Sequence, residues 1–347
     1  MQTNTTRDKT IDFIKGILIL FVILGHTTLG LTDMYSFDDT MNGIANVIYS
    51  FHMPCFIAVS GFLYSEYVGN VSQGIFSRIF HKAFNILLPY VMILVIYWII
   101  KFALSNLIRE PVSVSSLISI PWKPIEFLWY LYALFLLYCV AYMVDYVFAR
   151  LLPHFNYKME LLFVLFLIIA FTCYGSFHYE GFNYIAGFQM YFYLGCLIKK
   201  WLDKLYNRYA VLSLAVMSVL VESSGIVLQD DMSSNPLCSS LFERLTACIV
   251  TVFIFAVSYF LSGYCDFPKW LQSIGRDSMP FYAMNVIFVG GIRIILNRAG
   301  ITNMALQCIC GFAGSTAICW ILYECIIKKI RLIDFIFYPG KQLHIRK

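Results

Sequence analysis

The sequence predicts an all-α fold: a polytopic membrane helical bundle of about ten transmembrane helices with both termini in the cytoplasm. Three features predict it. First, 60% of the residues are hydrophobic and 13% charged, against about half and a quarter in soluble domains. Second, the mean hydropathy of +0.74 implies more apolar surface than a soluble fold of 347 residues can hide, whereas a bilayer lets lipid-facing positions be apolar too. Third, apolar runs close to the ~20 residues needed to cross the hydrocarbon core recur along the chain, separated by short basic clusters.

Those runs place spans at 11–31, 44–66, 84–104, 127–148, 159–175, 184–199, 209–227, 241–263, 278–297 and 305–327, the fifth and sixth being the shortest. The first run, Ile17 to Leu31, contains His26 and is followed by no small-residue cleavage site, so it is read as a span and not as a signal peptide. With the N-terminus inside, the inner segments hold Arg7, Lys9, Lys15, Arg78, Lys82, Arg150, Lys158, Lys199, Lys200, Lys204, Arg208, Lys269, Arg276, Lys328, Lys329, Arg331, Lys341, Arg346 and Lys347, which is 19 of the 25 basic residues. The outer side holds Lys101, Arg109, Lys123, Arg244, Arg293 and Arg298, and its first loop carries Asp33, Asp38 and Asp39. This asymmetry places both ends in the cytoplasm by the positive-inside rule. Trp98, Trp122, Trp129, Tyr130, Trp201 and Trp270 fall at span ends, where an interfacial belt puts them. No soluble domain is expected at either end.

The net charge of +5 is dispersed among these loops, so no nucleic-acid partner is expected; the bilayer is. The eleven cysteines are scattered, mostly inside apolar runs, with no C-x-x-C pair and no Cys/His zinc spacing. They read as small packing residues, and no metal is expected.

Polar side chains inside spans are costly and therefore candidates for function. Lys15 and His26 are eleven residues apart. At 100° per residue they share one helix face, about 16 Å apart along the axis. Asp12 lies one turn before Lys15 and is placed to pair with it. Lys15 reads equally as a snorkelling anchor, and His26 as a helix–helix hydrogen bond or as a proton-transfer group near neutral pH. The second span opens Phe51-His52-Met53-Pro54-Cys55-Phe56 and runs on to Ser60-Gly61. Pro54 lacks an N–H and frees a carbonyl one turn earlier. Because the first two spans are antiparallel, His26 and His52 are expected at similar depth.

Taken together these residues resemble the membrane acyltransferase-3 family, whose members transfer acyl groups, commonly acetyl, onto cell-surface sugars. Lys15 and His26 occupy the positions of its opening signature, a basic residue followed by His. Phe51 to Gly61 resembles its second-span motif, Ser77-Arg78 through Leu88-Pro89-Tyr90 the basic loop and Pro-Tyr that open its third span, Phe127-Leu128-Trp129-Tyr130 its Trp-aromatic motif, and Tyr193-Leu194-Gly195 a later Leu-Gly motif. Ile274-Gly275-Arg276-Asp277-Ser278 through Phe281-Tyr282 resembles a late motif that often ends in His; here Asn285 stands at that position, and Asn carries no proton at neutral pH.

The resemblance implies a single acyltransferase domain over 1–347 in a bacterial cytoplasmic (inner) membrane, with acetyl-CoA as donor and a carbohydrate as acceptor. It implies that Lys15, Arg78 and Lys82 meet the anionic nucleotide end, that His26, with Lys15 and Asp12, is catalytic, and that His52, Ser60, Trp129 and Asn285 line the acceptor site. His26 acts either as general base or as covalent acyl carrier; the sequence leaves both open. Two other classes compete. A transporter or flippase needs no acyl donor, and neither a repeated half nor a matched pair of broken helices is found in the sequence. An inactive receptor or assembly partner is suggested by Asn285 alone.

Overall fold

The computed structural model describes residues 8–32, 39–67, 74–103, 126–152, 154–205, 207–227 and 236–342. Arg7, Asp33, Asp38, Arg109, Trp122, Lys123, Arg346 and Lys347 of the topology reading lie outside them. Among the described residues every regular element is helical. They are α1 (Lys9–Thr32), α2 (Asp39–Tyr67), α3 (Ile75–Lys82), α4 (Leu88–Ala103), α5 (Trp129–Leu151), α6 (Lys158–Cys173), α7 (Glu180–Leu205), α8 (Arg208–Val227), α9 (Pro236–Ser262), α10 (Lys269–Arg276), α11 (Ser278–Arg298), α12 (Met304–Leu322), α13 (Arg331–Phe337) and α14 (Pro339–Gln342).

Helices occupy all ten stretches read as spans, and among the described residues seven are long and apolar enough to cross a membrane: Lys9–Thr32, Thr40–Ser65, Ile75–Ala103, Trp129–Leu151, Cys238–Ser262, Ser278–Arg298 and Met304–Ile327. Of the other three, α6 has 16 residues, fewer than the ~20 a crossing needs; α7 has 26 but carries Asn183 and Gln189 within its apolar stretch; and α8 covers Arg208–Val227 with one acid, Glu222, inside it.

The third span begins earlier than its apolar run, because α3 continues through a π turn at Ala83–Leu87 into α4. Pro89 explains the turn. It has no N–H for the carbonyl four residues back, and its ring crowds that carbonyl, so the ladder widens just before it. Asn85 sits in the π turn, and its side-chain Nδ2 donates to the His81 carbonyl at 2.7 Å.

The chain divides into two compact units, Met1–Leu63 with Leu194–Cys325, and Tyr64–Tyr193 with Ile326–Lys347. The core of the first is α1, buried on most of its circumference through Ile14, Leu18, Ile19, Val22 and Ile23, as expected of a helix that is apolar all round. Its start is fixed by Asp8, whose Oδ1 accepts from the backbone of Thr10 at 2.8 Å and of Ile11 at 3.3 Å, while Oδ2 accepts from the Tyr259 hydroxyl of α9. Phe13 stacks on Phe267 with ring centroids 3.7 Å apart.

The tightest contact of the unit is the crossing of α1 and α10. A Cβ on Gly275 would lie 1.7 Å from the Asp12 carbonyl oxygen, and one on Gly16 would lie 2.2 Å from the Leu271 carbonyl oxygen. Backbone meets backbone there, and only glycine on both sides allows it. At the other end of α1, the Arg293 guanidinium of α11 covers Gly30. So Asp12 and Lys269–Arg276 share one end of this unit, and Gly30 and Arg293 share the opposite end, as the alternation of inner and outer segments expects.

The second unit packs α3 against α5 and α13 against α4, around Leu128, Ala133, Leu137, Ala141, Phe192 and Tyr193.

Overpacking at a backbone crossing costs about 1–3 kcal/mol or more. Gly275→Ala and Gly16→Ala should therefore each lower the melting temperature of the detergent-solubilised protein clearly. A Cβ on Gly290 meets nothing within 4 Å, so Gly290→Ala should be neutral or stabilising by up to about 1 kcal/mol, the entropy recovered by removing a helical glycine.

Candidate active site

In the first unit the structure gathers aromatic and imidazole groups around the C-terminal half of α1. Gly25 leaves room for the Tyr49 ring of α2, whose Cε2 is 3.2 Å from where a Cβ would stand. That seat brings the Tyr49 hydroxyl to 3.3 Å from His26 Nδ1, with the two rings edge to face at 6.3 Å. One turn on, His52 meets the same Tyr49 ring at 4.9 Å, the two planes nearly perpendicular. The expectation of similar depth is met through this shared tyrosine and through Phe21 against Phe51 at 5.2 Å.

The two histidines are held differently. His52 is buried, and its Nδ1–H donates to the Ile48 carbonyl at 2.6 Å. A carbonyl only accepts, so the neutral ring keeps its lone pair on Nε2. His26 is half-buried and has the Tyr49 hydroxyl at Nδ1. Two residues before His52, Ser50 Oγ donates to Glu222 Oε1 of α8 at 2.8 Å.

The remaining candidates of this unit lie as follows. Lys15 is half-buried and Asp12 buried toward the α10 end of α1. Ser60 is two turns beyond His52, buried, with Oγ donating to the Phe56 carbonyl at 3.2 Å. Asn285 is fully buried on α11; its Nδ2 donates to the carbonyls of Phe281 at 3.0 Å and Tyr282 at 2.7 Å. Its Oδ1 is left without a protein partner among the described residues.

In the second unit, Arg78 and Lys82 are one turn apart on α3 and face two tyrosines one turn apart on α5. The Arg78 guanidinium lies 4.8 Å over the Tyr142 ring and the Lys82 ammonium 3.7 Å over Tyr138. Beside them, the buried carboxylate of Asp145 accepts from the Tyr64 hydroxyl and pairs with Lys158. Trp129 stands at the start of α5, stacked on Tyr184 at 5.3 Å and close to Phe188 at 5.1 Å. No group of three metal-ligating side chains occurs among the described residues.

The family model described as an acyltransferase domain matches residues 8–324. The chain belongs to the acyltransferase-3 family. Two curated relatives are similar over shorter stretches. A nodulation protein NolL of Mesorhizobium japonicum is 30% identical over 157 residues, 44% of this chain and 38% of that protein. A nodulation protein NolL of Sinorhizobium fredii is 38% identical over 84 residues, 24% of this chain and 22% of that protein. The matched stretch thus spans well under half the length of either relative. No solved structure matches.

Within this acyltransferase-3 chain, the geometry gives physical content to two motifs. Gly275 of the late motif is the glycine of the α1–α10 crossing, and the second-span motif begins beside the Tyr49–His52 edge contact. The sequence reading missed Tyr49, Asp145, Tyr64 and Lys158. Asp145 carried a usable signal, an acid inside an apolar run. Tyr49 carried none, being one of 24 tyrosines.

Removing one partner of a buried ion pair costs about 3–5 kcal/mol. Lys158 is partly exposed, so Asp145→Ala should fall at the low end, about 3 kcal/mol, and Tyr64→Phe should cost about 1–2 kcal/mol. Thermal melts followed by a thiol-reactive dye check both, since Cys55 and Cys196 are buried thiols.

Proposed function

We propose that this integral membrane protein is an O-acetyltransferase that moves an acetyl group from cytoplasmic acetyl-CoA to a sugar hydroxyl of a surface or exported glycan. The observation that supports it best is the His26 imidazole, set inside an apolar helix of an acyltransferase-3 chain and faced by Tyr49 and His52. An imidazole is the side chain best suited to moving a proton near neutral pH.

In this reading the acceptor hydroxyl oxygen attacks the thioester carbonyl carbon. The new C–O bond forms as the C–S bond breaks, His26 takes the hydroxyl proton, and the CoA thiolate leaves and receives that proton as a thiol. If His26 carries the acyl group itself, its nitrogen attacks the thioester first and the sugar hydroxyl displaces it afterwards. Both routes need a basic imidazole nitrogen.

Arg78, Lys82 and Lys15 are the proposed ligands of the donor's phosphates. A cation seated over an aromatic face retains N–H groups for phosphate oxygens, and the planar guanidinium can bind two of them at once. Asp12 is proposed to set the charge state and position of Lys15. His52, Ser60, Trp129 and Asn285 are proposed contacts of the acceptor. Both termini are proposed to face the cytoplasm of a bacterial inner membrane, from the distribution of Lys and Arg, with the whole chain acting as one acyltransferase domain.

Mass spectrometry of surface glycans from cells with the intact gene, a deletion and His26→Ala at matched protein levels tests the reaction. An acetyl mass increment should be present in the first and absent in the others, His26→Ala lowering the rate about 10²–10⁴-fold. Glycans identical in all three remove the sugar acceptor. Arg78→Ala should raise the Michaelis constant for acetyl-CoA about tenfold or more, as expected for losing a charge-assisted bond of about 1.5–3 kcal/mol; an unchanged constant removes Arg78 from the donor site.

A further inference from the structure

We infer that Tyr49 is a positioning residue for His26: its phenolic oxygen accepts from the imidazole Nδ1–H and so keeps the lone pair on Nε2. The direction of the bond and its kinetic consequence rest on the acyltransferase reading; the contact itself does not.

Three observations on different residues carry it. The Tyr49 hydroxyl is 3.3 Å from His26 Nδ1. The ring that bears it is lodged against α1 by the absence of a side chain at Gly25, the residue immediately before His26. The same ring meets His52 at 4.9 Å and 86°, and His52 is itself fastened to the Ile48 carbonyl. The Tyr49 ring therefore has packing contacts besides His26, although it is 38% exposed.

The direction of the bond follows from what His26 must do. Which ring nitrogen carries the proton is set by the bond the other makes. Were the phenol to donate into Nδ1, the neutral ring would carry its proton on Nε2 and the Nδ1 lone pair would be occupied. His26 would then have no basic nitrogen for either route. With Nδ1–H donating to the phenol oxygen, Nε2 is basic in both. The bond also strengthens as the reaction proceeds, because an imidazolium N–H is a better donor than a neutral one. A ground-state distance at the long end is what such a bond shows before charge develops.

The surroundings are partly ionic. His52 and Tyr49 face His26 from α2. Arg293 of α11 covers Gly30 one turn further along α1, and Glu222 of α8 bonds Ser50.

Two measurements on the full-length protein in bilayers test the inference. The first is the ¹⁵N solid-state NMR spectrum of ring-labelled histidine, with His26 assigned by its loss in His26→Gln. The wild type should show Nδ1 protonated and Nε2 bare. The second is Tyr49→Phe, which keeps the ring in its seat and removes the oxygen. It should release His26 into a mixture of tautomers and lower kcat for acetyl transfer about tenfold, the equivalent of one neutral hydrogen bond, with the Michaelis constant for acetyl-CoA unchanged. A wild-type His26 protonated on Nε2 overturns the inference without recourse to any variant, as does a Tyr49→Phe protein whose spectrum and kcat both match wild type. A wild type that transfers no acyl group, yet loses its Nδ1–H tautomer in Tyr49→Phe, upholds the pairing and overturns the acyltransferase reading instead.

Discussion

The contact on which the first unit depends is the glycine-to-glycine crossing of α1 and α10. Lipid tails are as apolar as leucine, so helices in a bilayer gain little from burying apolar faces on one another and associate through close packing and polar contacts. At Gly16 and Gly275 the packing reaches the backbone itself, where many dispersion contacts form at once. This fixes where α1 sits along and about its axis. With the helix fixed, Lys15 is committed to the α10 end and His26, three turns on, to the end where Tyr49 and His52 stand. A slip at the crossing would carry His26 away from Tyr49, although the two places lie about 15 Å apart along the helix.

Polar side chains in these apolar helices fall into two groups. Some are satisfied by their own backbone. Thr27 donates to the Ile23 carbonyl at 2.7 Å, Thr28 to that of Gly25 at 3.0 Å and Ser60 to that of Phe56 at 3.2 Å. Such back-bonding is how a hydroxyl is made compatible with a helix interior, and a substrate contact at Ser60 has to compete with it. Asn285 is intermediate, its donors committed to its own helix and one oxygen left over. His26, Glu222 and Asp145 belong to the second group. His26 meets Tyr49, Glu222 meets Ser50, and Asp145 meets Tyr64 and Lys158, each on another helix, so each also couples two elements.

What could be read from the sequence was what is local along one helix. Apolar runs located the helices, and the eleven-residue spacing put Lys15 and His26 on one face without any knowledge of neighbours. Reading failed where a helix boundary is not a boundary in hydropathy. α3 begins at Ile75 because Phe76, Ile79 and Phe80 alternate with Arg78 and Lys82 at helical spacing, which a run of apolar residues does not detect. α7 outlasts its apolar stretch because its last turns are basic. The partners of the site were hidden for a different reason. That Tyr49 and not another tyrosine meets His26 follows from the packing of α2 on α1, and that packing is decided by a missing side chain at Gly25, which leaves no chemical signature in the sequence.

The choice of a tyrosine beside His26 has a physical logic of its own. In a water-exposed active site a carboxylate commonly orients the histidine and stabilises its protonated form. Within a bilayer a carboxylate brings a formal charge whose desolvation costs several kcal/mol unless it is fully paired. The pair would then tend to hold the histidine permanently protonated, since an adjacent negative charge favours the charged imidazole. A permanently protonated imidazole is neither a base nor an acyl carrier. A phenol fixes the same ring orientation through one oxygen, carries no charge at neutral pH, and favours protonation only as far as a single hydrogen bond can. Glu222 is bonded to Ser50 and Asp145 lies between Tyr64 and Lys158. In the proposed reaction, the arrangement around His26 therefore suits an imidazole that begins each cycle neutral and becomes charged only in passing.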